Sequence, residues 1–320
     1  MNTPVKLTGF AAAVAVVFGV ALLVGATVGP VSGHTDETSA SAHDIGHGDM
    51  AESAGSPETP AAETIPGGLM MSQHGYSLTL GETNIEPGEG RTLTFVIDGP
   101  DDTPVTDYDI THEKDLHLIA VRRDFTGFQH VHPVLDEKTG IWSVDLDLTP
   151  GTWRILTDFT PTGGEALTLG TDLEVVGEFL PAATQEDNRT ATVDDYEITL
   201  RGDLSPGADA TLTLAVNKNG QPVTDLQPYL GAYGHLVALR GGDLAYLHVH
   251  PDGTPGDGTT RAGPEVVFHT AVPSAGIYHL YLDFQHDGVV RTAAFTLTAE
   301  GAGNTHREPA APVEHGHSGR

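Results

Sequence analysis

The chain of 320 residues contains no cysteine. Disulfides, iron–sulfur clusters, cysteine-based zinc sites and the thiolate copper sites of electron-transfer proteins are therefore excluded. Basic residues are also scarce, because 15 Lys and Arg stand against 44 Asp and Glu, which gives a formal net charge of −29. Nucleic-acid binding needs a basic face, so this composition argues against such a partner. The acidity either attracts cations or simply keeps an exposed protein soluble.

Helical periodicity is absent from the chain outside one N-terminal apolar stretch. From residue 74 to residue 300 the sequence has short runs rich in β-branched and aromatic residues, such as Tyr76–Leu80, Ile141–Leu146 and Gly276–Phe284, separated by Gly, Pro and Asp. Such runs predict β-strands joined by turns. About seven strands in roughly 100 residues are typical of an immunoglobulin-like β-sandwich. We therefore predict an all-β protein with two tandem immunoglobulin-like β-sandwich modules.

The N-terminal apolar stretch, Leu7–Val28, has 22 residues and no charge. About 20 apolar residues span a bilayer, so we predict a transmembrane helix, with a cleaved signal sequence as the alternative. Lys6 is the only basic residue before Arg91, which predicts a single-pass membrane protein with its bulk outside the cell, or a secreted protein if the anchor is cleaved. The predicted organisation is a cytoplasmic tail (1–6), the anchor (7–28), a disordered His- and acid-rich stalk (29–73), the first module (74–181), a linker (182–192), the second module (193–300) and a disordered His-rich tail (301–320).

The two predicted modules share a histidine pattern. Pro104–Pro133 superimposes without a gap on Pro222–Pro251, a shift of 118 residues. Each copy has one histidine followed 13 residues later by His-x-His-Pro. The six shared histidines form two triads, His117, His130 and His132 in the first copy and His235, His248 and His250 in the second. Four other histidines have no counterpart in the other copy, and we treat them as incidental: His112, His269, His279 and His286.

The spacing of each triad suits a metal site on a β-hairpin. His-x-His on an extended strand places both imidazoles on one face, about 7 Å apart. The interval from His117 to His130 fits a strand, a tight turn at Asp124–Gly127 and a return strand, which brings the third imidazole alongside. Histidine is a common ligand of zinc and copper, and three can supply most of a four-coordinate site. The alternative is a fold-defining hydrogen-bond cluster that organises the hairpin.

Both copies also share an aspartate at the end of a later strand, Asp158 in Trp153–Phe159 and Asp283 in Tyr278–Phe284. Each is a possible fourth ligand, or a carboxylate that orients a ligating histidine. A strand-end aspartate that caps a turn is the structural alternative. Three histidines do not distinguish Cu(II) from Zn(II), so the predicted cofactor is copper or zinc.

Three stretches, Asp115–Asp124, Phe128–Pro133 and Leu226–Val237, resemble a largely uncharacterised family of membrane-anchored or secreted actinobacterial proteins with duplicated His-x-His-Pro modules, often described as heavy-metal-associated. The resemblance covers most of the chain, from the apolar N-terminal stretch to the His-rich tail. It implies a link to copper or other heavy-metal handling outside the membrane, and it implies no established activity. The histidines that match the family are the six of the two triads.

These features together predict an extracytoplasmic protein that binds copper or zinc, with one triad per module, for metal buffering, delivery or resistance. A membrane metal transporter is the expected protein partner. The alternative is a non-metal adhesion or scaffold protein whose histidines are structural. We expect no enzymatic activity, because the sequence has no nucleophile elbow, no His-Glu-x-x-His helix and no obvious general base beside the triads. Since ligating imidazoles must be neutral, metal affinity is expected to fall below about pH 6.

Overall fold

The computed structural model describes residues 65–183, 186–247 and 249–301, all within one compact unit that extends from Ala62 to Arg320. The predictions for the cytoplasmic tail, the anchor, most of the stalk, the C-terminal tail beyond residue 301 and His248 lie outside the described residues. Within these ranges the chain forms strands and turns, with no helix. Accordingly, none of the described segments is a helix with the length and hydropathy needed to cross a membrane.

Ten strands build the first module: β1 (Ser72–Gln73), β2 (Tyr76–Leu80), β3 (Asn84–Ile85), β4 (Gly88–Asp98), β5 (Leu116–Arg122), β6 (Gln129–Val131), β7 (Val134–Asp136), β8 (Ile141–Leu148), β9 (Gly151–Phe159) and β10 (Leu167–Val175). They form two five-stranded sheets with the orders β1-β2-β4-β8-β7 and β3-β10-β9-β5-β6. Alternating apolar residues of the two sheets meet in a core around Phe95, Trp142 and Trp153, each 1% exposed. The sheets therefore pack as a β-sandwich.

Ten further strands build the second module: β11 (Thr190–Val193), β12 (Tyr196–Arg201), β13 (Asp209–Lys218), β14 (Gln221–Pro222), β15 (His235–Arg240), β16 (Tyr246–Leu247), β17 (His250–Pro251), β18 (Glu265–Ala271), β19 (Gly276–His286) and β20 (Val289–Ala299). One sheet has the order β11-β12-β13-β18-β17, with β14 paired to β13, and the other has the order β16-β15-β19-β20. The core between them includes the buried rings of Tyr196, Phe268 and Tyr278. The prediction of two tandem β-sandwich modules is confirmed.

Four strands, β5, β9, β15 and β19, are buried along nearly their whole length. Alternate side chains of β5 explain this: Leu116 and Leu118 enter the core of the first module, whereas Ile119 and Val121 pack against residues of the second module. We call this second apolar cluster the module interface; its members are Ile119, Val121, Phe125, Phe128, Leu156, Val237, Leu239, Leu244, Tyr246 and Tyr281. The apolar strand face that carries His117 is therefore covered by the other module.

Candidate metal centre

The first histidine triad lies on the hairpin that its spacing predicts. Strands β5 and β6 pair antiparallel, with Ile119 opposite His130. The turn between them contains Gly127 at φ 67°, where an added Cβ would lie 2.5 Å from the indole of Trp153. Glycine suits this position because it adopts positive φ without strain and allows the close approach. His132 follows β6 directly, at the point where the chain crosses to β7 in the other sheet.

One nitrogen of each imidazole in the first triad points at a common centre. His117 Nδ1 lies 3.0 Å from His130 Nε2 and 3.2 Å from His132 Nε2, and the three ligand atoms all lie within 4.8 Å of one another. Tetrahedral zinc with Zn–N distances near 2.0–2.1 Å would separate its nitrogen ligands by about 3.3 Å. The triad can therefore hold a metal ion.

The outward-facing nitrogens fix the tautomers of two of these rings. His117 Nε2 lies 3.0 Å from the carbonyl oxygen of Thr111, and His130 Nδ1 lies 2.8 Å from Asp283 Oδ2. Both oxygens only accept, so each of these ring nitrogens carries the proton and donates it. In the neutral form that ligates metal, His117 Nδ1 and His130 Nε2 are then both unprotonated, and their 3.0 Å contact has no proton to share. Two lone pairs that face each other repel, whereas a cation between them would bind both.

The centre is shared between the modules, because His130 belongs to the first and Asp283 to the second. Asp283 is 3% exposed and pairs in register with His235 across β15 and β19. Its other carboxylate oxygen accepts a hydrogen bond from the hydroxyl of Thr292. A carboxylate that receives the second ring N–H of a ligating histidine orients the ring and raises its basicity. Asp283 is therefore placed as an orienting group for a histidine of the other module.

Burial lowers the pKa of two triad histidines and of the neighbouring His235. It lowers the pKa of His117 to about 3 and that of His132 to about 3, with repulsion from His130 adding to both effects. Burial and the neighbouring His112 and His130 lower the pKa of His235 to about 4. Neutral imidazole is the ligating form. Protons therefore compete for His117 and His132 only at pH values well below the value of about 6 expected from ordinary imidazoles.

Solvent reaches the first triad from the side of His132. This residue lines a cavity of about 560 Å³. The same cavity is bordered by Asp107, Glu113, Asp115 and Glu137, against a single basic side chain, Lys114. Low-dielectric walls that carry charge of one sign raise the local concentration of the opposite ion. The cavity thus provides an acidic approach for a cation.

The second triad is not assembled in the same way among the described residues. His235 is buried on β15, whereas His250 is exposed on β17, which belongs to the other sheet and pairs with His269 on β18. His248 lies outside the described ranges. His235 nevertheless repeats one feature of His117, since its Nε2 lies 3.1 Å from the carbonyl oxygen of Tyr229, six residues earlier in the chain. A metal site at the second triad stays a prediction.

Asp158, the counterpart of Asp283, has different partners. It accepts hydrogen bonds from Thr168 Oγ1 at 2.9 Å and from the hydroxyl of Tyr246 at 3.2 Å. Tyr246 belongs to the second module, so this contact also crosses the module interface. Asp158 pairs in register with His117 across β5 and β9. It therefore binds side chains at the module interface, on the strand next to the one that carries His117.

Four histidines that the sequence left as incidental have defined environments in the structure. The ring of His279 stacks on Phe125 with centroids 3.7 Å apart, and His286 Nδ1 lies 2.7 Å from the hydroxyl of Tyr196. His269 Nδ1 lies 3.3 Å from the hydroxyl of Thr211. His112 is the one that sequence reasoning missed as part of the centre, because its ring lies 6.0 Å from that of His117 and 5.1 Å from that of His235. The only sequence signal is its position five residues before the first triad begins.

Fold and site together define a tandem β-sandwich protein with a histidine centre between its two modules. The chain belongs to the family described as Domain of unknown function (DUF8832), whose sequence profile matches it twice, over residues 71–177 and 191–301. The two matches confirm a family with a duplicated domain. The chain shows no significant sequence similarity to any curated protein.

Solved structures with a similar course of the chain have low identity and low TM-scores. An Escherichia coli adhesin, FdeC, is 17% identical over 74% of this chain and 66% of its own, with a TM-score of 0.23. A Salmonella alpha-2-macroglobulin is 14% identical over 74% of this chain and 15% of its own, with a TM-score of 0.25. The fibronectin(III)-like modules of Clostridium thermocellum CbhA are 10% identical over 76% of this chain and 100% of their own, with a TM-score of 0.21. This chain thus spans less than two thirds of the first two proteins.

Proposed function

We propose that the protein binds a transition-metal ion, Cu(II) or Zn(II), at the triad His117, His130 and His132, and that it buffers or delivers this ion outside the cell membrane. The observation that carries the proposal is the convergence of three ring nitrogens, together with the acceptors that hold the outer nitrogens of two of the rings. Thr111 and Asp283 leave the lone pairs of His117 Nδ1 and His130 Nε2 facing inwards. A cation turns this repulsive contact into a favourable one.

Two further features support a role in metal handling. The formal net charge of −29 and the acidic cavity beside His132 favour the approach of cations over anions. The resemblance of Asp115–Asp124 and Phe128–Pro133 to heavy-metal-associated proteins points the same way. The proposal includes a membrane-anchored or secreted location, because of the apolar stretch Leu7–Val28, and a membrane metal transporter as the receiving partner. It includes no enzymatic role.

The competing function is a non-metal adhesion or scaffold protein. Burial favours this alternative, since His117 is 6% exposed, Asp283 is 3% exposed, and the contact between His130 and Asp283 crosses the module interface. A buried, hydrogen-bonded histidine cluster can serve to fix the arrangement of two modules without binding any ion. On this reading, substitution of the triad would lower stability and leave metal binding unchanged.

Titration of the full-length chain with Zn(II) and Cu(II), in the presence of a competing chelator, separates the two functions. The first variant carries His130→Ala and His132→Ala. The matched control carries His248→Ala and His250→Ala, which removes the same motif from the second copy. Both variants keep the histidines of the tails as a constant background, and circular dichroism checks that each remains folded.

Loss of one tight equivalent in the first variant supports the proposed function. Loss of one tight equivalent of metal in the variant that carries His248→Ala and His250→Ala would show that the second triad also binds metal. Tight binding that survives in the first variant would place the site elsewhere, and the absence of tight binding in the unmodified chain would favour the scaffold function.

A further inference from the structure

We infer that His112 is the fourth ligand of the ion held by His117, His130 and His132. This inference rests on the proposed function. It adds a residue that the duplicated pattern does not contain and that the sequence alone gave no reason to choose.

The turn that carries His112 occurs once in each module. In the first module Thr111 and Lys114 form a bridge, and in the second module Tyr229 and Ala232 form a bridge. The shift of 118 residues places Thr111 on Tyr229 and Lys114 on Ala232. The first residue of each pair also supplies the carbonyl oxygen next to Nε2 of the following triad histidine, His117 or His235. The two turns are therefore structural equivalents.

The residue at the first central position differs between these two turns. It is His112 at φ 49° in the first module and Leu230 at φ 53° in the second. Leu230 is 3% exposed and packs as an apolar side chain, whereas His112 is exposed. The turn thus tolerates an ordinary side chain here, and only the first module carries an imidazole.

The rings of the centre are spaced as ligands of one ion are. Ring centroids are 5.3 Å apart for His117 and His130, 4.9 Å for His117 and His132, and 5.1 Å for His130 and His132. Imidazoles on one tetrahedral ion have centroids about 5 Å apart. His112 lies 6.0 Å from His117, at an angle of 80°. Because its side chain is exposed, it has room to turn by the remaining distance when an ion arrives.

Two other groups border the centre, the carboxylate of Asp283 and the imidazole of His235. Asp283 accepts hydrogen bonds from His130 and Thr292 through separate oxygens. His235 directs its Nε2 to the carbonyl oxygens of Tyr229 and Leu230, both at 3.1 Å, and its ring lies 6.4 Å from that of His130. His112 differs from both in being exposed to solvent, so the inferred fourth ligand lies on the solvent side of the ion.

The test measures Zn(II) affinity and the visible spectrum of the Co(II)-loaded protein in the full-length chain. The main variant is His112→Leu, which copies the second module and is therefore compatible with the turn. His112→Asn is the second variant, because asparagine accepts positive φ readily and carries no imidazole. The matched control is His74→Leu, which removes another exposed histidine at positive φ, in the turn between β1 and β2.

Both His112 variants are expected to weaken Zn(II) binding by at least roughly tenfold, a loss that even outer-shell partners of metal ligands reach. The visible absorption bands of their Co(II) complexes should shift, because water replaces an imidazole in the coordination shell, while His74→Leu leaves affinity and spectrum unchanged. Unchanged affinity and spectrum in the His112 variants, with binding still lost in the variant that carries His130→Ala and His132→Ala, would overturn this inference alone. No tight binding by the unmodified chain would overturn the proposed function and this inference with it.

Discussion

The orienting role of Asp283 makes a specific prediction for Asp283→Asn. The substitution keeps the shape of the side chain and the acceptor for Thr292, but it places an amide N–H₂ group next to His130 Nδ1. His130 then moves its proton to Nε2 so that Nδ1 can accept. That proton occupies the position at which the ion binds, so metal affinity falls although all three ligands are present.

Asp283→Asn is expected to lower both the stability of the metal-free protein and its Zn(II) affinity, and the burial of the contact between Asp283 and His130 sets the size of these two losses. A hydrogen bond to a charged group contributes about 1.5–3 kcal/mol, and Asp283 is too buried for solvent to screen it. Without metal, urea denaturation of Asp283→Asn is expected to show a loss of about that size. Zn(II) binding by Asp283→Asn is expected to be weaker by roughly 10- to 100-fold. Saturating Zn(II) should therefore raise the free energy of unfolding of this variant by about 1.4–2.7 kcal/mol less than it raises that of the unmodified chain.

The matched control is Asp158→Asn, at the equivalent position of the first module. Asp158 accepts hydrogen bonds from the hydroxyl groups of Thr168 and Tyr246. The side-chain amide oxygen of asparagine can still accept one of these two hydrogen bonds. This variant is expected to lose some stability and to keep the Zn(II) affinity of the first triad, measured in a background with His248→Ala and His250→Ala. Zn(II) affinity in Asp283→Asn equal to that of the unmodified chain would refute the tautomer argument, whatever happens to stability.

Three further predictions concern the module interface. Leu156 is fully buried there, so Leu156→Ala is expected to lower the free energy of unfolding in urea by about 2–5 kcal/mol; a loss typical of an exposed side chain would show that the modules separate in solution. Tyr246→Phe removes the hydroxyl that donates to the Asp158 carboxylate and is expected to cost about 1.5–3 kcal/mol in the same assay, and a changed Zn(II) affinity would contradict this assignment. Burial lowers the pKa of His279 from 6.5 to about 4, so its contribution to stability is present above pH 6.5 and is lost as the pH falls from 6.5 towards 4. At pH 5 this loss is about 2 kcal/mol, and His279→Gln should reduce the pH dependence of unfolding by that amount, whereas an unchanged dependence would exclude His279 as its source.

The fold was accessible to sequence reasoning because its local signals agree. Runs of β-branched and aromatic residues between Gly, Pro and Asp turns predict the strands of both modules. The duplicated His-x-His-Pro motif predicts that there are two modules. The interval between His117 and His130 gave the hairpin that the structure shows. Sheet order was not accessible, since the period of two assigns a residue to a face of a strand without saying which strand or module covers that face.

The same limit explains what sequence reasoning missed at the candidate centre. The alternation of β5 places His117 on the same strand face as Ile119 and Val121, but alternation does not show that this face packs against the second module. Asp283 was recognised as a possible orienting carboxylate, yet its partner is His130, 153 residues away in the chain. His112 was set aside because the second copy has no equivalent. A search for residues that both copies share overlooks a histidine that only one copy has.

Differences between the copies give the two triads unequal chances of binding metal. Phe128 corresponds to Tyr246 under the shift of 118 residues. Phe128 has no hydroxyl and stacks on Tyr281 with centroids 3.9 Å apart, which leaves Asp283 Oδ2 to receive His130. The hydroxyl of Tyr246 instead donates to Asp158 Oδ2, where it competes with any imidazole for the same oxygen. The apolar Leu230 in place of His112 removes a possible ligand as well. We therefore expect the first triad to fill at lower metal concentration than the second, although the two are indistinguishable by their histidine spacing.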